Sequence, residues 1–295
     1  SDLFMTPSAR YADLLLPAAS LFEEDSMAAP WGTGDFLLYG NKVIEPLFES
    51  RFEFEWLCEL AERLGVKDFS EGCKTVREWN HLIYNRAREK EPELPEFEVF
   101  AANGGYRYKE QRIHVAFKEQ RENLKKHPFL TASGKIEIYS KALELFGDKT
   151  GIPPIPKYVP AFEGVEDPKI KEYPLQLIGW HTKRRCHSIH DNNPWMEEIE
   201  PHRLWINPLD AEKRGIKESD MVRIYNDRGI IQMQAHVSER IMVGVVCIPQ
   251  GAWHQPDTDG VDIRGSVNTL TTARPTPLAK GNPQHSCLVE VKKRT

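Results

Sequence analysis

The 295-residue sequence has little cysteine: Cys58, Cys73, Cys186, Cys247 and Cys287 are scattered, and no two are spaced as a CxxC pair. That scatter excludes a ferredoxin-type cluster or zinc ribbon built from local ligands and leaves mostly buried thiols. No apolar run approaches the roughly 20 residues needed to cross a bilayer, and the first residues carry no charged-then-apolar leader, so direct membrane insertion is not expected. Basic excess is missing too. A net charge of −5 gives no electrostatic footprint for displacing counterions from phosphates, which argues against nucleic acid as a partner. GxGxxG, P-loop, HExxH and GxSxG signatures are all absent. The acidic runs Glu23-Glu24-Asp25 and Glu197-Glu198 stand in polar surroundings and read as solvated surface. No catalytic acid or base stands out.

What is present is ordinary globular composition, 40% hydrophobic and 28% charged, at a length that suits two domains. Ser1 to Met5 reads as an apolar strand ending at Thr6-Pro7, a helix start, so the chain is expected to open inside an αβ unit of a longer polypeptide. Asp13-Leu14-Leu15-Leu16-Pro17 reads as a buried strand end stopped by proline. Helices are expected over Glu53 to Leu64, closed by Gly65, over Thr75 to Arg88, and over Ile138 to Phe146, closed by Gly147, from apolar positions at helical spacing. Prolines at 153, 154, 156, 160, 168 and 174 give residues 151–174 the composition of a linker. The expected division is an α/β part over 1–160 and a mainly β domain over 161–295. In the latter, strands are expected at Leu175 to Gly179, Arg203 to Ile206, Met221 to Asn226, Ile230 to Val237, Val243 to Ile248 and Cys287 to Val291. Asp227-Arg228-Gly229 makes a tight turn, and Asn207-Pro208 starts a short helix ending at Gly215. Short strands in such number point to a small barrel.

The segment with the most chemistry runs from Gly179 through Trp180, His181, Thr182, Lys183, Arg184, Arg185, Cys186, His187, Ser188 and Ile189 to His190. Three cations, three imidazoles and two hydroxyls following a strand suit a pyrophosphate or other polyanion, because guanidinium forks and amides donate charge-assisted bonds to phosphate oxygens. A solvated basic loop is the plain alternative. A zinc site from His181, Cys186, His187 and His190 is the third, disfavoured by the adjacent arginines. Asn268, in Gly265-Ser266-Val267-Asn268-Thr269-Leu270-Thr271, carries the donors and acceptor needed to read a heterocycle edge, or serves simply as a turn residue. His254 and His285 read as structural.

These residues are carried by a resemblance. Trp180-His181-Thr182, Arg185 and His187-Ser188 are followed by Ile206-Asn207-Pro208-Leu209-Asp210-Ala211, Arg214-Gly215-Ile216 and Asp220-Met221-Val222. Asn226-Asp227-Arg228-Gly229 and Asn268-Thr269-Leu270-Thr271 come next. In order and spacing, residues 174–292 resemble the molybdopterin-dinucleotide-binding domain of the dimethyl sulfoxide reductase family. Phe4-Met5-Thr6-Pro7 through Asp13-Leu14-Leu15-Leu16-Pro17 and Thr131-Ala132-Ser133-Gly134-Lys135 are similar to that family's α/β portion, with Ala132 in place of its usual proline. The wording is nearest to catalytic subunits of anaerobic dimethyl sulfoxide reductases.

The resemblance implies a double-psi β-barrel of the aspartate-decarboxylase-like kind. It implies a molybdenum bis(molybdopterin guanine dinucleotide) cofactor gripped by Gly179, Trp180, His181, Thr182, Arg184, Arg185, His187, Ser188, Asn207, Asp210, Asn268 and His285. Arg185 and His187 are expected as the strongest anchors. The family's metal ligand and the cysteines of its [4Fe-4S] cluster fall outside these residues, so neither metal ligands nor catalytic residues are assigned here. The implied activity is reduction of dimethyl sulfoxide or a similar S- or N-oxide. The alternatives are another molybdenum or tungsten enzyme acting on formate, nitrate or polysulfide or without redox change, or a barrel kept for binding or assembly without cofactor. An iron–sulfur electron-transfer subunit and a membrane-anchor subunit are the implied partners, at a periplasmic or outward-facing location, with the cytoplasm as the alternative.

Overall fold

The computed structural model describes residues 1–30, 34–109 and 115–294. They form two compact units, Ser1–Lys126 and His127–Thr295. The boundary expected at 160/161 thus falls inside the second unit.

The first unit contains a three-stranded antiparallel sheet, β1 (Ser26–Ala28), β2 (Phe36–Gly40) and β3 (Gly105–Arg107). Its helices are α1 (Glu53–Arg63), α2 (Val76–Lys90), α3 (Phe97–Ala102) and α4 (Lys118–Glu122). Two of these start and stop where local chemistry dictates. Gly65, at φ 70, takes the left-handed conformation just past α1. A capping box opens α2: Thr75 accepts from the Glu78 amide while the Glu78 carboxylate accepts from the Thr75 amide. The core is aromatic. Tyr84 stacks on Phe100 with centroids 4.4 Å apart, and Tyr39 meets Phe97 edge-on at 5.5 Å.

Three expectations fail here. Ser1 to Met5 and Asp13 to Pro17 are not strands; single bridges join Asp2 to Pro17 and Ala18 to Arg51, and Leu14 is 76% exposed. An apolar run needs a ladder partner to become a strand, and these segments find only one-residue pairings. Glu23 is no solvated carboxylate. It is 4% exposed and accepts from the amides of Ser20 (2.6 Å) and Leu47 (2.5 Å) and from the Ser50 hydroxyl (3.2 Å). Those amide bonds hold its pKa down at about 2.

The second unit opens with α5 (Lys141–Phe146), three residues later than the periodicity predicts, because the Ser140 hydroxyl caps it by accepting from the Leu143 amide. The proline-rich stretch is not a free linker. Arg228 grips Glu163 through two bonds of 2.7 and 2.8 Å, the Leu288 amide donates to the same carboxylate, and the Glu163 amide donates to Ser286 Oγ.

Six strands close the barrel: β4 (Leu175–Trp180), β5 (Leu204–Ile206), β6 (Met221–Tyr225), β7 (Ile230–Val237), β8 (Val245–Pro249) and β9 (Leu288–Lys293). Their order around it is β4-β8-β5-β7-β6-β9. The β4/β8 and β5/β7 pairs are parallel and the other pairs antiparallel. Inward side chains fill the interior, among them Leu177, Leu204, Ile206, Val222, Ile224, Ile231, Val246, Ile248, Val289 and Val291. Short helices α6 (Pro194–Ile199) and α7 (Pro208–Glu212) lie in the connections. Asn193 and Asn207 cap them, each followed by proline at the first helical position, where no amide partner is needed. Among the described residues no helix is long and apolar enough to cross a membrane.

Candidate functional site

Register places Trp180, the last residue of β4, beside Pro249, the last residue of β8. Because these strands run parallel, the loops leaving them start side by side. From β8 comes the 250–254 turn, from β4 the 181–191 loop, and the two pack closely. Gly251, at φ 91, approaches the His187 carbonyl so closely that an added Cβ would stand 1.7 Å from the oxygen. The Trp253 indole donates to the Ser188 carbonyl at 2.9 Å. His187 and His190 take left-handed φ values of 53° and 74°, which fold the 186–190 segment into a tight reversal closed by Ile189 N donating to Cys186 O at 3.0 Å.

Between these loops and the last connection lies a cleft of about 280 Å³ lined by His187, Ser188, Gly251, Ser266, Asn268, Asn282 and Gln284, among others. Its polar lining is side-chain amide, hydroxyl and the His187 imidazole. Lys183 and the rings of His181 and His187, exposed and 5.0 Å apart edge-to-face, belong to the same loop. The floor is fixed by Asp262, which is fully buried. Its carboxylate accepts from the amides of Gln255, Arg264, Gly265 and Ser266 at 2.7 to 3.3 Å and from the Thr269 hydroxyl at 3.1 Å. Such convergence holds Asn268 on a preset turn facing the cleft.

Behind the 181–191 loop is a buried ion network. Arg185 pairs with Asp191, whose other partners are Arg264 (2.9 and 3.1 Å) and the Trp253 amide (2.8 Å). Arg264 also binds Glu197 at 2.9 Å. His202 completes it, with Nδ1 2.6 Å from Arg185 and Nε2 3.0 Å from Gly265 O. These partners require the neutral tautomer with the proton on Nε2, and burial together with the Arg185 charge pushes the imidazole pKa down to about 4. Burial acts to raise Asp191, but the Arg264 hydrogen bonds, the Trp253 amide and the two guanidinium charges outweigh it and hold the carboxyl below its usual range.

The expected site residues therefore separate. His187, Ser188 and Asn268 line the cleft. His285 is nearby in sequence to its last wall, and its Nδ1 lies 3.2 Å from the Gly179 amide, which donates to it. Trp180, Thr182, Arg184 and Arg185 line a neighbouring recess of about 50 Å³ instead. Trp180 packs edge-on against Trp205 at 5.3 Å, and Thr182 Oγ1 accepts from the Arg184 amide at 2.8 Å. Arg185 faces inward to Asp191 rather than outward to a ligand. Asn207 and Asp210 are occupied by structure: Asn207 caps α7 and donates to Ile241 O at 2.8 Å, while buried Asp210 accepts from the Gly244 amide at 2.6 Å. Glu197, expected at a solvated surface, belongs to the ion network. The tetrahedral zinc arrangement is not formed; among the described residues no group of three or more His, Cys, Asp or Glu is placed to hold a metal. Sequence reading missed Asp191, Asp262 and Arg264. The one local signal was an acid, Asp191, directly following the cationic segment.

The cleft fits part of a molybdopterin dinucleotide. Amide side chains match the edges of a fused pyrimidine ring, and the Ser188 and Ser266 hydroxyls match phosphate oxygens. A volume at the low end of ligand clefts takes one heterocycle and its phosphate arm, not the whole group. Two buried donors lining the neighbouring recess, Trp180 Nε1 and Arg184 Nε, have no hydrogen-bond acceptor among the described residues; the latter is 3.5 Å from Glu200 Oε2 without bonding geometry. That recess has the size for ordered water rather than a nucleotide.

The molydopterin dinucleotide binding domain family matches residues 175–288, the barrel and its loops. The chain is 46% identical over 302 residues to dimethyl sulfoxide reductase DmsA of Escherichia coli K12, covering 99% of this chain and 37% of that protein. It is 33% identical over 313 residues to a dimethyl sulfoxide/trimethylamine N-oxide reductase of Rhodobacter capsulatus, covering all of this chain and 37% of that one. The chain thus spans well under half the length of these relatives. Among solved structures, acetylene hydratase from Pelobacter acetylenicus superposes with a TM-score of 0.72 at 20% identity, covering 99% of this chain and 39% of that one, a likeness of fold. Residues 175–288 are thus a molydopterin dinucleotide binding domain, and along 99% of its length the chain is homologous to dimethyl sulfoxide and trimethylamine N-oxide reductases.

Proposed function

We propose that this chain is the cofactor-binding part of an oxidoreductase that reduces dimethyl sulfoxide or a similar S- or N-oxide, working within a polypeptide of its relatives' length. The observation that carries this reading is the polar cleft built by His187, Ser188, Gly251, Ser266, Asn268, Asn282 and Gln284 on parallel strand ends of the barrel. We read the barrel as a double-psi barrel and the ligand as molybdenum bis(molybdopterin guanine dinucleotide). When bound, that cofactor supplies the two-electron oxygen-atom transfer.

The chain's own residues do the binding and orienting. Asn268 offers amide donors and an acceptor to a heterocycle edge, Ser188 and Ser266 offer hydroxyls to phosphate oxygens, and the Lys183 ammonium on the same loop offers a charge to an anionic arm. His285 holds the end of β4 through Gly179. Asp262 keeps the Asn268 turn in one conformation, so that ligand binding need not order it.

The same proposal includes a [4Fe-4S] cluster elsewhere in that polypeptide, an iron–sulfur electron-transfer subunit and a membrane-anchor subunit as partners, and a periplasmic or outward-facing location. Anaerobic assay of the purified enzyme with a reduced viologen dye tests the activity. Turnover of dimethyl sulfoxide or trimethylamine N-oxide is expected, slowed by Ser188→Ala with Asn268→Ala. Turnover of formate or nitrate with none of an S- or N-oxide would overturn the substrate assignment.

A further inference from the structure

We propose that Asp191 is the positioning residue of the cofactor cleft, a buried carboxylate that locks its separate walls into one arrangement without touching the ligand. The inference rests on the cofactor reading above.

Asp191 does not line the cleft. Its side chain is 2% exposed, and every acceptor direction is used. One oxygen takes Arg185 and Arg264, the other takes the Trp253 amide and Arg264 again, and its backbone carbonyl accepts from Arg264 at 3.0 Å. Each partner belongs to a different piece of the cleft. Arg185 is in the loop that supplies His187 and Ser188. Trp253 is in the turn that supplies Gly251, and its indole bonds back to Ser188 O. Arg264 immediately precedes Gly265 and Ser266, on the loop that presents Asn268. Segments separated by more than 60 residues in sequence, as 191 and 253 are, meet at one side chain.

Charge explains why this must be a carboxylate. Arg185 and Arg264 both point at Asp191, and Glu197 reaches only Arg264 among them. Neutral His202 contributes no counter-charge to Arg185. With Asp191 ionised the two guanidinium groups are held together by a shared anion; without that charge they repel, and Arg185 is left buried without a hydrogen-bonded counter-ion. The loop must then move to let Arg185 reach water, carrying His187 and Ser188 with it. Arg185 on this account shapes the cleft through Asp191 rather than binding phosphate.

The test is made in the molybdenum-loaded holoenzyme, timing release of the guanine-nucleotide cofactor after dilution. Hydrogen exchange at the Trp253 amide is followed separately in the cofactor-free chain. Asp191→Asn is expected to speed release on the order of tenfold or more, with Asp191→Glu restoring part of the retention. The Trp253 amide should exchange at least about tenfold faster while β4 and β8 keep their protection, since breaking one lock opens a local unit only. Val289→Ala, a barrel-core variant chosen to lose a similar Tm, should leave both readouts near those of the parent. If Asp191→Asn does not accumulate as folded protein, Asp191→Asn with Arg264→Gln removes one charge of each sign and is read the same way.

Ser188→Ala with Asn268→Ala, which removes groups that face the ligand, separates the two ways of failing. Faster release from that variant alongside parent-like release from Asp191→Asn overturns the positioning role. Release no faster in Asp191→Asn than in Val289→Ala does the same. Unchanged retention in the Ser188/Asn268 variant overturns the cofactor reading on which the inference stands.

Discussion

Gly251 and the carbonyl of His187 are packed so closely that no side chain fits between them: a Cβ at 251 would lie 1.7 Å from that oxygen. The contact joins the loop after β8 to the loop after β4 and closes one wall of the cleft. Gly251→Ala meets two penalties, a left-handed φ of 91° and a backbone clash that only loop displacement relieves. We expect a cost of about 2–4 kcal/mol, read as a lower Tm, together with faster cofactor release. An alanine variant with unchanged Tm would show that the two loops are not held this way.

Asn207 makes a contrasting case. Its carboxamide caps α7 and donates to Ile241 O, so Asn207→Ala should cost about 1–2 kcal/mol of stability. Cofactor content should not change, because the residue does not line the cleft. Denaturant unfolding and guanine analysis of the same preparation check both halves.

The imidazole of His202 predicts an acid-side loss of stability. Its folded pKa of about 4 lies below the ordinary 6.5, so the unfolded chain takes up its proton first as pH falls. The stability associated with neutral His202 is therefore complete above pH 6.5, is lost progressively below it, and the loss levels off near pH 4. Its full extent is on the order of 3 kcal/mol. Glu23, held at about 2 against an ordinary 4.5, adds a further loss in the same direction from about pH 4.5 downward. Unfolding free energy measured from pH 8 to 4 should fall most steeply in the His202 window, and His202→Gln should flatten that portion of the curve.

Arg228 tests the strap across the proline-rich stretch. Arg228→Ala leaves the Glu163 carboxylate half-buried without its bidentate partner, at a cost of roughly 2–4 kcal/mol. Limited proteolysis should then cut within residues 155–168 sooner than in the parent, while the barrel core resists. Equal cutting rates would mean that Glu163 does not anchor this stretch.

Much of the barrel was legible because its signals are local. Ile231, Met233 and Ala235 alternate and are buried, and Asn207-Pro208 marks a helix start that the structure keeps. Gln232 shows where that reading ends. It belongs to the outward set by alternation, yet it is buried because the 262 loop covers it, with the Gln232 amide donating to Asp262 O at 2.8 Å. The strand order and the Asp191–Arg264 pairing depend on chain segments far apart in sequence, for which no spacing rule exists. The resemblance pointed to the loops that surround the cleft. It did not distinguish side chains that line the cleft, such as Ser188 and Asn268, from those that hold the loops, such as Arg185. That distinction depends on which way each side chain turns once Asp191 is buried.

The most direct test of the account is metal and guanine-nucleotide analysis of the protein at its relatives' full length, expressed anaerobically with ample molybdate. The account predicts molybdenum together with guanine nucleotide in the ratio a bis(dinucleotide) cofactor requires, and a reduced content of both when Ser188 and Asn268 are replaced by alanine. Full-length protein holding neither molybdenum nor tungsten, with the barrel folded, would contradict it and leave a barrel kept for binding or assembly.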